Sequence, residues 1–170
     1  MKSRLRKAGL LTACGMLAVT IIGNHEGLRT RAYKDVVGVP TICFGETRNV
    51  RMGDVKSVAE CQYMLGSRLE EFEKETLQNP RCVTNPDAIP DKSYVAFLSL
   101  AYNIGSSAFC KSTAVRHINS GDISSACYAI ERFNRAGGVV WKGLVRRRAE
   151  ERELCLQGLR EGMREGVRGR

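Results

Sequence analysis

The sequence has few of the residues from which metal centres and nucleic-acid surfaces are built. It contains two histidines, His25 and His117, one tryptophan and 6% aromatic residues. No two cysteines have the CxxC spacing of a zinc or redox site, and basic patches interleaved with aromatic residues are absent. We therefore expect no metal, no cofactor and no nucleic-acid partner, even though 27 Lys and Arg residues against 18 Asp and Glu give a formal net charge of +9.

Charge and cysteine content indicate a different setting. A positive balance favours acidic partners such as anionic lipid headgroups or a carboxylate-bearing bacterial wall. The seven cysteines are dispersed along the 170 residues. This dispersal indicates disulfides formed in an oxidising compartment such as the bacterial periplasm, with buried thiols as the alternative. The cysteines are Cys14, Cys43, Cys61, Cys82, Cys110, Cys127 and Cys155.

Residues 8–24 form the one long uncharged run, and basic residues precede it. This order is typical of a membrane signal whose basic end stays in the cytoplasm. The run is at the short limit for a bilayer-spanning helix, and glycine, threonine and alanine dilute its leucines and isoleucines. It lacks a small-x-small cleavage site, and too little apolar sequence precedes the lipoprotein-like Leu11-Thr-Ala-Cys14. We favour a weak, uncleaved anchor helix over these signals and over an ordinary buried helix.

The rest of the chain predicts a mostly helical α+β protein. A short helix is expected over residues 26–33, and a turn with a small hairpin over 35–45. Ser57-Val-Ala-Glu60 is a capping box that opens a helix running to about Gln78. Two further helices are expected, one over residues 91–103 and one from Gly121-Asp122 to about Asn134. A charged helix should follow the glycine-rich turn at 136–138, and the low-complexity tail after it is expected to be disordered.

Three residues after the apolar run have a spacing suited to glycoside hydrolysis. Glu26, Asp35 and Thr41 form the frame Glu-x8-Asp-x5-Thr. Hydrolysis needs one carboxyl group to protonate the leaving oxygen and a second to act as nucleophile or to aim a water. Spacing alone is weak evidence, because a helix-start glutamate, a turn aspartate and a strand threonine are also ordinary structural residues.

The surrounding sequence closely resembles phage-type lysozymes, glycoside hydrolase family 24. The segment Asn24-His-Glu-Gly-Leu-Arg-Thr-Arg-Ala-Tyr-Lys-Asp-Val-Val-Gly-Val-Pro-Thr-Ile-Cys-Phe-Gly45 resembles their catalytic segment. The segment Gly-Gly-x-x-Trp-Lys-Gly-Leu-x-x-Arg-Arg-x-x-Glu-x-Glu-Leu-Cys, which ends at Cys155, resembles their closing helix. The resemblance covers residues 24–158. It implies a lysozyme-like two-lobe fold: a small N-terminal hairpin lobe, a long connecting helix and a helical C-terminal lobe, here preceded by an N-terminal membrane-anchor helix.

This resemblance implies a muramidase that hydrolyses the β-1,4 bond between N-acetylmuramic acid and N-acetylglucosamine of peptidoglycan. Glu26 matches the general acid, and Asp35 with Thr41 matches the pair that positions water. The implied inversion requires a carboxyl separation of about 6.5–9.5 Å. The alternatives are a lytic transglycosylase and a non-catalytic, membrane-anchored wall-binding protein, and the water-positioning pair argues against both.

Further residues match the family outside the catalytic frame. Asn103-Ile-Gly105 followed by Ser112-Thr113 resembles the substrate-groove segment, and Tyr33 and Trp141 either line a sugar groove or belong to the core. The resemblance also implies a Cys82–Cys110 disulfide. Glu46 stands where the family commonly has histidine, which adds a third carboxylate near the site.

The apolar run resembles the signal-arrest-release segment of lambdoid-phage endolysins. Three parts are therefore expected: a signal-anchor at 1–24, a catalytic domain at 25–158 and a basic tail at 159–170. We expect a monomer that is tethered to the host inner membrane through residues 8–24 and inactive there, and that becomes active after release into the periplasm. Cys14 could exchange disulfide partners with Cys43 on release.

Overall fold

The computed structural model describes residues 3–168, with side chains to residue 164. The chain divides into two compact units, one of residues 4–71 and one that contains Ser3 and the chain from Phe72 onward. The helices are α1 (Ala13–Glu26), α2 (Val58–Glu75), α3 (Asp91–Ile104), α4 (Ser106–Cys110), α5 (Thr113–Asn119), α6 (Ile123–Ala129) and α7 (Lys142–Arg168). The strands are β1 (Arg6–Lys7), β2 (Leu10–Leu11), β3 (Arg29–Lys34), β4 (Pro40–Cys43), β5 (Arg135–Ala136) and β6 (Val139–Val140), which form three antiparallel hairpins in chain order.

The first unit starts with a hairpin and a short helix instead of the continuous anchor helix expected over residues 8–24. Ala8 and Gly9 have positive φ angles of 50° and 81°, and they turn the chain between β1 and β2. Thr12 then caps α1 by accepting a hydrogen bond from the Gly15 amide at 3.1 Å. Among residues 3–168, no helix is both long enough and apolar enough to cross a membrane.

Helix α1 packs one face into the core of the first unit. Ala18 and Ile22 are fully buried there. Two glycines allow close approach: a Cβ on Gly15 would lie 2.1 Å from the Leu5 carbonyl oxygen, and one on Gly23 would lie 3.0 Å from the Phe44 ring. The apolar run therefore supplies core residues in this structure.

The expected helix over residues 26–33 is wrong. Glu26 is the last residue of α1, and Gly27, with φ of 75°, ends the helix while its amide bonds to the Gly23 carbonyl at 3.1 Å. The following residues form β3, which pairs with β4 so that Tyr33 lies opposite Thr41. A glycine that adopts a left-handed conformation stops the helix one residue after the candidate acid.

The expected capping box at the start of α2 is present. The Glu60 amide donates to Ser57 Oγ at 3.2 Å, and the Ser57 amide donates to Glu60 Oε2 at 2.8 Å. These hydrogen bonds, together with Lys56, lower the pKa of Glu60 to about 2. The helix ends at Glu75, slightly before the expected Gln78, and the boundary between the two units falls within it.

The second unit is built on the buried helix α3, as expected, with α7 packed along it. Gly105, with φ of 86°, ends α3. Ser93 donates to the Cys155 carbonyl at 2.7 Å, and Ser99 donates to the buried carboxylate of Glu151 at 2.6 Å. Burial raises the pKa of Glu151, although Arg148, Ser99 and Arg147 act in the opposite direction.

Helix α7 continues through Arg168, so the expectation of a disordered tail does not hold for residues 159–168. Lys92 pairs with Glu161 at 2.6 Å, and Gln157 donates to the same carboxylate at 3.2 Å. A Cβ on Gly162 would lie 3.2 Å from Pro90. The tail therefore has packing partners that its low-complexity sequence does not reveal. The last two positions of the expected tail lie outside the described residues.

Three disulfides join Cys43–Cys61, Cys82–Cys110 and Cys127–Cys155. The second is the pair that the family resemblance implies. Cys14 takes part in none of the three and is buried in α1. In the first unit, Cys43–Cys61 forms a small core with Ile42, against which Ala32 and Phe44 pack. The hairpin that carries Thr41 is therefore fixed to α2 by a covalent bond and a few side chains.

Candidate active site

Glu26 lies at the C-terminal end of α1, where its side chain is partly buried. Its position at a helix end removes the structural alternative of a helix-start carboxylate. Gly27 and Leu28 separate it from β3, so the candidate acid directly precedes the hairpin that carries the other two residues.

Asp35 sits in the loop between β3 and β4, and one of its carboxylate oxygens organises that loop. Oδ1 accepts hydrogen bonds from the amides of Val37 at 3.0 Å and Val39 at 2.8 Å. The Asp35 amide in turn donates to the Val39 carbonyl at 3.0 Å. Among the described residues, nothing donates to the second oxygen, Oδ2. The carboxylate is thus fixed through one oxygen and keeps the other for water or substrate.

Thr41 is held in register with Asp35 through the backbone of Val39. The Thr41 hydroxyl donates to the Val39 carbonyl at 2.9 Å, and the Val39 amide donates to Asp35 Oδ1. Thr41 is only 3% exposed, and because its hydroxyl proton is used, its oxygen is left to accept a hydrogen bond. Sequence reasoning did not identify Val39, because its contribution is made entirely by main-chain atoms.

A shallow depression that is wide open to solvent, called the groove below, lies along β3 and has a volume of about 480 Å³. It is lined by residues 28–33, which include Tyr33, Arg29 and Arg31. The Arg29 guanidinium lies over the Tyr33 ring, 4.4 Å from its centroid. Sequence analysis named Tyr33 as a groove residue but neither arginine.

Glu46, the third carboxylate near the frame, is held by local contacts. Its main chain exchanges two hydrogen bonds of 2.9 Å with Ile42, next to Thr41. Its Oε1 accepts from the amides of Thr47 at 2.9 Å and Arg48 at 2.8 Å. Arg48 also pairs with Glu71 at 3.1 Å, an arrangement that raises the pKa of Arg48 and lowers that of Glu71. These contacts indicate that Glu46 stabilises the turn after β4.

The remaining candidates lie in the second unit. Asn103 is an exposed residue near the end of α3. Ser112 is buried and caps α5 by accepting from the Val115 amide at 3.1 Å, while Thr113 accepts from Arg116 at 3.1 Å. Trp141 is 59% exposed, so it is not a core residue. Its indole donates to the Ala136 carbonyl at 3.2 Å.

Within residues 3–164, no group of three or more His, Cys, Asp or Glu side chains is arranged to hold a metal ion. A family model for phage lysozyme matches residues 23–151, which include the whole Glu-Asp-Thr frame.

The chain belongs to the phage lysozyme family. A SAR-endolysin of Bacteriophage PS119 is 41% identical over 153 residues, which cover 88% of this chain and 89% of that protein. Among solved structures, a mutant of phage P22 lysozyme is 31% identical with a TM-score of 0.73, covering 82% of this chain and 95% of the other. The active form of the P1 phage endolysin Lyz is 27% identical with a TM-score of 0.71, covering 93% of this chain and 88% of the other.

These similarities confirm the predicted lysozyme-like, mostly helical α+β fold. They also establish that the protein is a glycoside hydrolase of the lysozyme class.

Proposed function

We propose that this phage lysozyme is an endolysin that hydrolyses the β-1,4 bond between N-acetylmuramic acid and N-acetylglucosamine of peptidoglycan. Glu26 is the general acid, and Asp35 and Thr41 position the attacking water. The observation that supports this assignment is the bridge through Val39, which holds the Asp35 carboxylate and the Thr41 hydroxyl in one rigid hairpin.

The water-positioning step follows from the atoms of Asp35 and Thr41 that are left available. Glu26 gives its proton to the glycosidic oxygen as the bond from that oxygen to the anomeric carbon breaks. Water attacks the same carbon from the opposite face and transfers a proton to Oδ2 of Asp35. The Thr41 oxygen accepts the other hydrogen of that water, which directs its lone pair toward the sugar. The product has inverted configuration, and the two carboxyl groups end with exchanged protonation states.

Product analysis tests this mechanism directly. Purified peptidoglycan is digested with the wild-type protein and with Glu26→Gln, and the released fragments are identified by mass spectrometry. Reducing-end N-acetylmuramic acid that disappears in the variant is the expected result. Glu153→Gln is the matched control, because Glu153 pairs at the surface with Arg160 and should not affect the products.

Two other outcomes would contradict the proposal. Anhydro-muramic ends would identify a lytic transglycosylase, and Asp35 would then have no water to position. Binding to peptidoglycan without cleavage, under oxidising conditions that preserve the disulfides, would favour the non-catalytic wall-binding alternative.

We also infer that the N-terminal segment has two alternative locations. The relative from phage PS119 is named a SAR-endolysin, and residues 8–24 are uncharged and follow a basic segment. In the described structure the same residues complete the first unit, with Ala18 and Ile22 buried. While residues 8–24 lie in the bilayer, this part of the core is missing and Glu26 is only two residues from the end of the apolar run, so the tethered enzyme is inactive.

The contacts of Arg6 support this proposal, because they give the basic segment a place in the first unit. Its guanidinium lies 4.5 Å from the centroid of Tyr63, and its Nε lies 3.4 Å from a carboxylate oxygen of Glu70. Depolarising the inner membrane should move the protein from the membrane fraction to the periplasm and start lysis. Full activity of protein that remains in the membrane fraction would disprove the proposed control.

The exchange between Cys14 and Cys43 remains a hypothesis about the same transition. The described structure pairs Cys43 with Cys61 and buries Cys14 in α1. If exchange is needed on release, Cys14→Ser should delay the onset of lysis after depolarisation. An unchanged onset would eliminate it.

A further inference from the structure

Strand β3 carries two arginines between the proposed acid and the proposed water-positioning residues. Arg29 and Arg31 are both exposed, and both line the groove of about 480 Å³ along the strand. Ala32 packs instead against the small core formed by Ile42 and the Cys43–Cys61 disulfide. The arginines therefore face solvent on the segment that joins Glu26 to Asp35.

These arginines differ from most of the others in their unit. Arg6, Arg48 and Arg68 all pair with glutamates. Within the described part of the chain, neither Arg29 nor Arg31 has a carboxylate partner. Arg29 is nevertheless held in place, because its guanidinium stacks on Tyr33 at 4.4 Å, and such cation–π contacts restrict the side chain without neutralising its charge. A fixed, uncompensated guanidinium is suited to binding a carboxylate.

We propose that Arg29 and Arg31 bind a carboxylate of the stem peptide attached to the muramic acid beside the scissile bond. The proposal rests on the proposed function, since it takes the substrate of that same site as given. In peptidoglycan the sugars are uncharged apart from the stems, so an acidic stem peptide is the anion available to a groove on the strand that leads from Glu26 to Asp35. The two arginines would then select glycan that carries acidic stems.

The test uses one glycan in two charge states. Purified sacculi are compared with sacculi whose carboxylates have been converted to amides by carbodiimide coupling to ammonia, which leaves the glycan chain unchanged. Two quantities are measured for each protein: the ratio of kcat/KM on the two substrates, and the ratio of binding by co-sedimentation in the uncleaving Glu26→Gln background. The variants are Arg29→Gln, Arg31→Gln and the charge-retaining Arg29→Lys.

The wild-type protein should prefer the acidic substrate by about tenfold, the size expected for one charge-assisted hydrogen bond. Arg29→Gln and Arg31→Gln should lower this preference toward one by raising KM, with kcat nearly unchanged, because the contact is made equally in the ground state and the transition state. Arg29→Lys should retain part of the preference, since it keeps the charge but loses the planar donor pair.

Arg81→Gln is the matched control, because Arg81 is exposed and lies in the second unit. It should keep the wild-type preference. An unchanged ratio in both glutamine variants would overturn the proposal, and so would an equal fall in Arg81→Gln, which would show an effect of net charge alone. Wild-type protein that cleaves neither substrate would contradict the proposed function, whereas the binding ratio would still decide the role of the arginines.

Discussion

Substitution of Gly15 by alanine tests whether the N-terminal segment packs as described. In an isolated helix or a bilayer span, alanine is the better residue by about 1 kcal/mol. In the folded structure, a Cβ at this position would lie 2.1 Å from the Leu5 carbonyl oxygen and 2.9 Å from its carbonyl carbon. Because the obstacle is backbone and not the end of a flexible side chain, the hairpin before α1 has to move by about 1 Å to relieve the overlap.

The expected change in stability is the difference between the gain in helix propensity and the cost of the overlap with Leu5. Overpacking against an immobile neighbour costs about 1–3 kcal/mol or more, which exceeds the gain in helix propensity. Gly15→Ala should therefore destabilise the released protein by about 1–2 kcal/mol, as measured by urea unfolding of soluble protein. Gly23→Ala should have a smaller effect, since its nearest neighbour is the Phe44 ring at 3.0 Å, which can rotate away.

Gly143 provides the matched control for this series. It is the second residue of α7, and nothing is within 4 Å of the position of an added Cβ. Gly143→Ala should therefore not destabilise the protein, and it should stabilise it by at most about 1 kcal/mol, the difference in helix propensity for an interior position. If Gly15→Ala proved as stabilising as Gly143→Ala, the N-terminal segment would not be packed against Leu5 in the soluble enzyme, and the argument that residues 8–24 complete the core would fail.

Three further predictions concern the hairpin and the start of α2. Thr41→Val should lower kcat by about 10²-fold through loss of the oxygen that orients water, while the lost hydrogen bond costs only about 1 kcal/mol of stability, so kinetics and unfolding separate the two effects. Replacing both Cys43 and Cys61 by serine, which opens a loop with a sequence separation of 18, should cost about 3 kcal/mol in urea unfolding. Because the pKa of Glu60 is lowered, its carboxylate contributes to stability above pH 4.5, and this contribution is lost as the pH falls toward about 2. The difference in unfolding free energy between wild type and Glu60→Gln should therefore shrink over that range. A constant difference would contradict the capping box.

Local rules predicted the elements whose signals lie within a few residues. Ser57 and Glu60 form a capping box because both partners of each hydrogen bond belong to one turn. Gly105 ends α3 as expected, because glycine adopts the positive φ of a helix end at little cost, and this preference depends on that residue alone. The frame of Glu26, Asp35 and Thr41 could also be recognised, because the spacing of three residues in the sequence does not depend on the secondary structure that they form.

The sequence-based predictions were wrong where the structure of a segment depends on contacts with distant parts of the chain. Gly27 ends α1, but the apolar run before it also fits a membrane span, and that alternative puts the predicted helix after Glu26 instead of before it. The tail was expected to be disordered because the pattern of Glu161 and Gly162 gives no sign of Lys92 and Pro90, which contact them from elsewhere in the chain. Contacts between distant segments are not encoded in a local pattern.

The site itself shows the same limit at the level of main-chain atoms. Val39 connects Asp35 to Thr41 through its amide and its carbonyl, and any residue except proline could supply both groups. Its role follows from the register that puts Thr41 opposite Tyr33, not from its side chain. Arg29 and Arg31 could not be recognised from the sequence either. An arginine can be identified as lacking a carboxylate partner only when the positions of the nearby carboxylates are known.

The small residues of the apolar run have two physical explanations that the sequence cannot separate. Glycine and alanine contribute little transfer free energy, so they weaken a membrane span and favour its release. In the described structure Gly15 and Gly23 also allow α1 to approach Leu5 and Phe44 closely, and Ala18 is fully buried. Alanine at position 15 affects the two functions in opposite ways, since it makes the span more apolar and the packed state less stable. If both explanations hold, Gly15→Ala should shift the protein toward the membrane fraction and lower the stability of the part that is released, whereas a change in only one of these measurements would assign the glycine to that function alone.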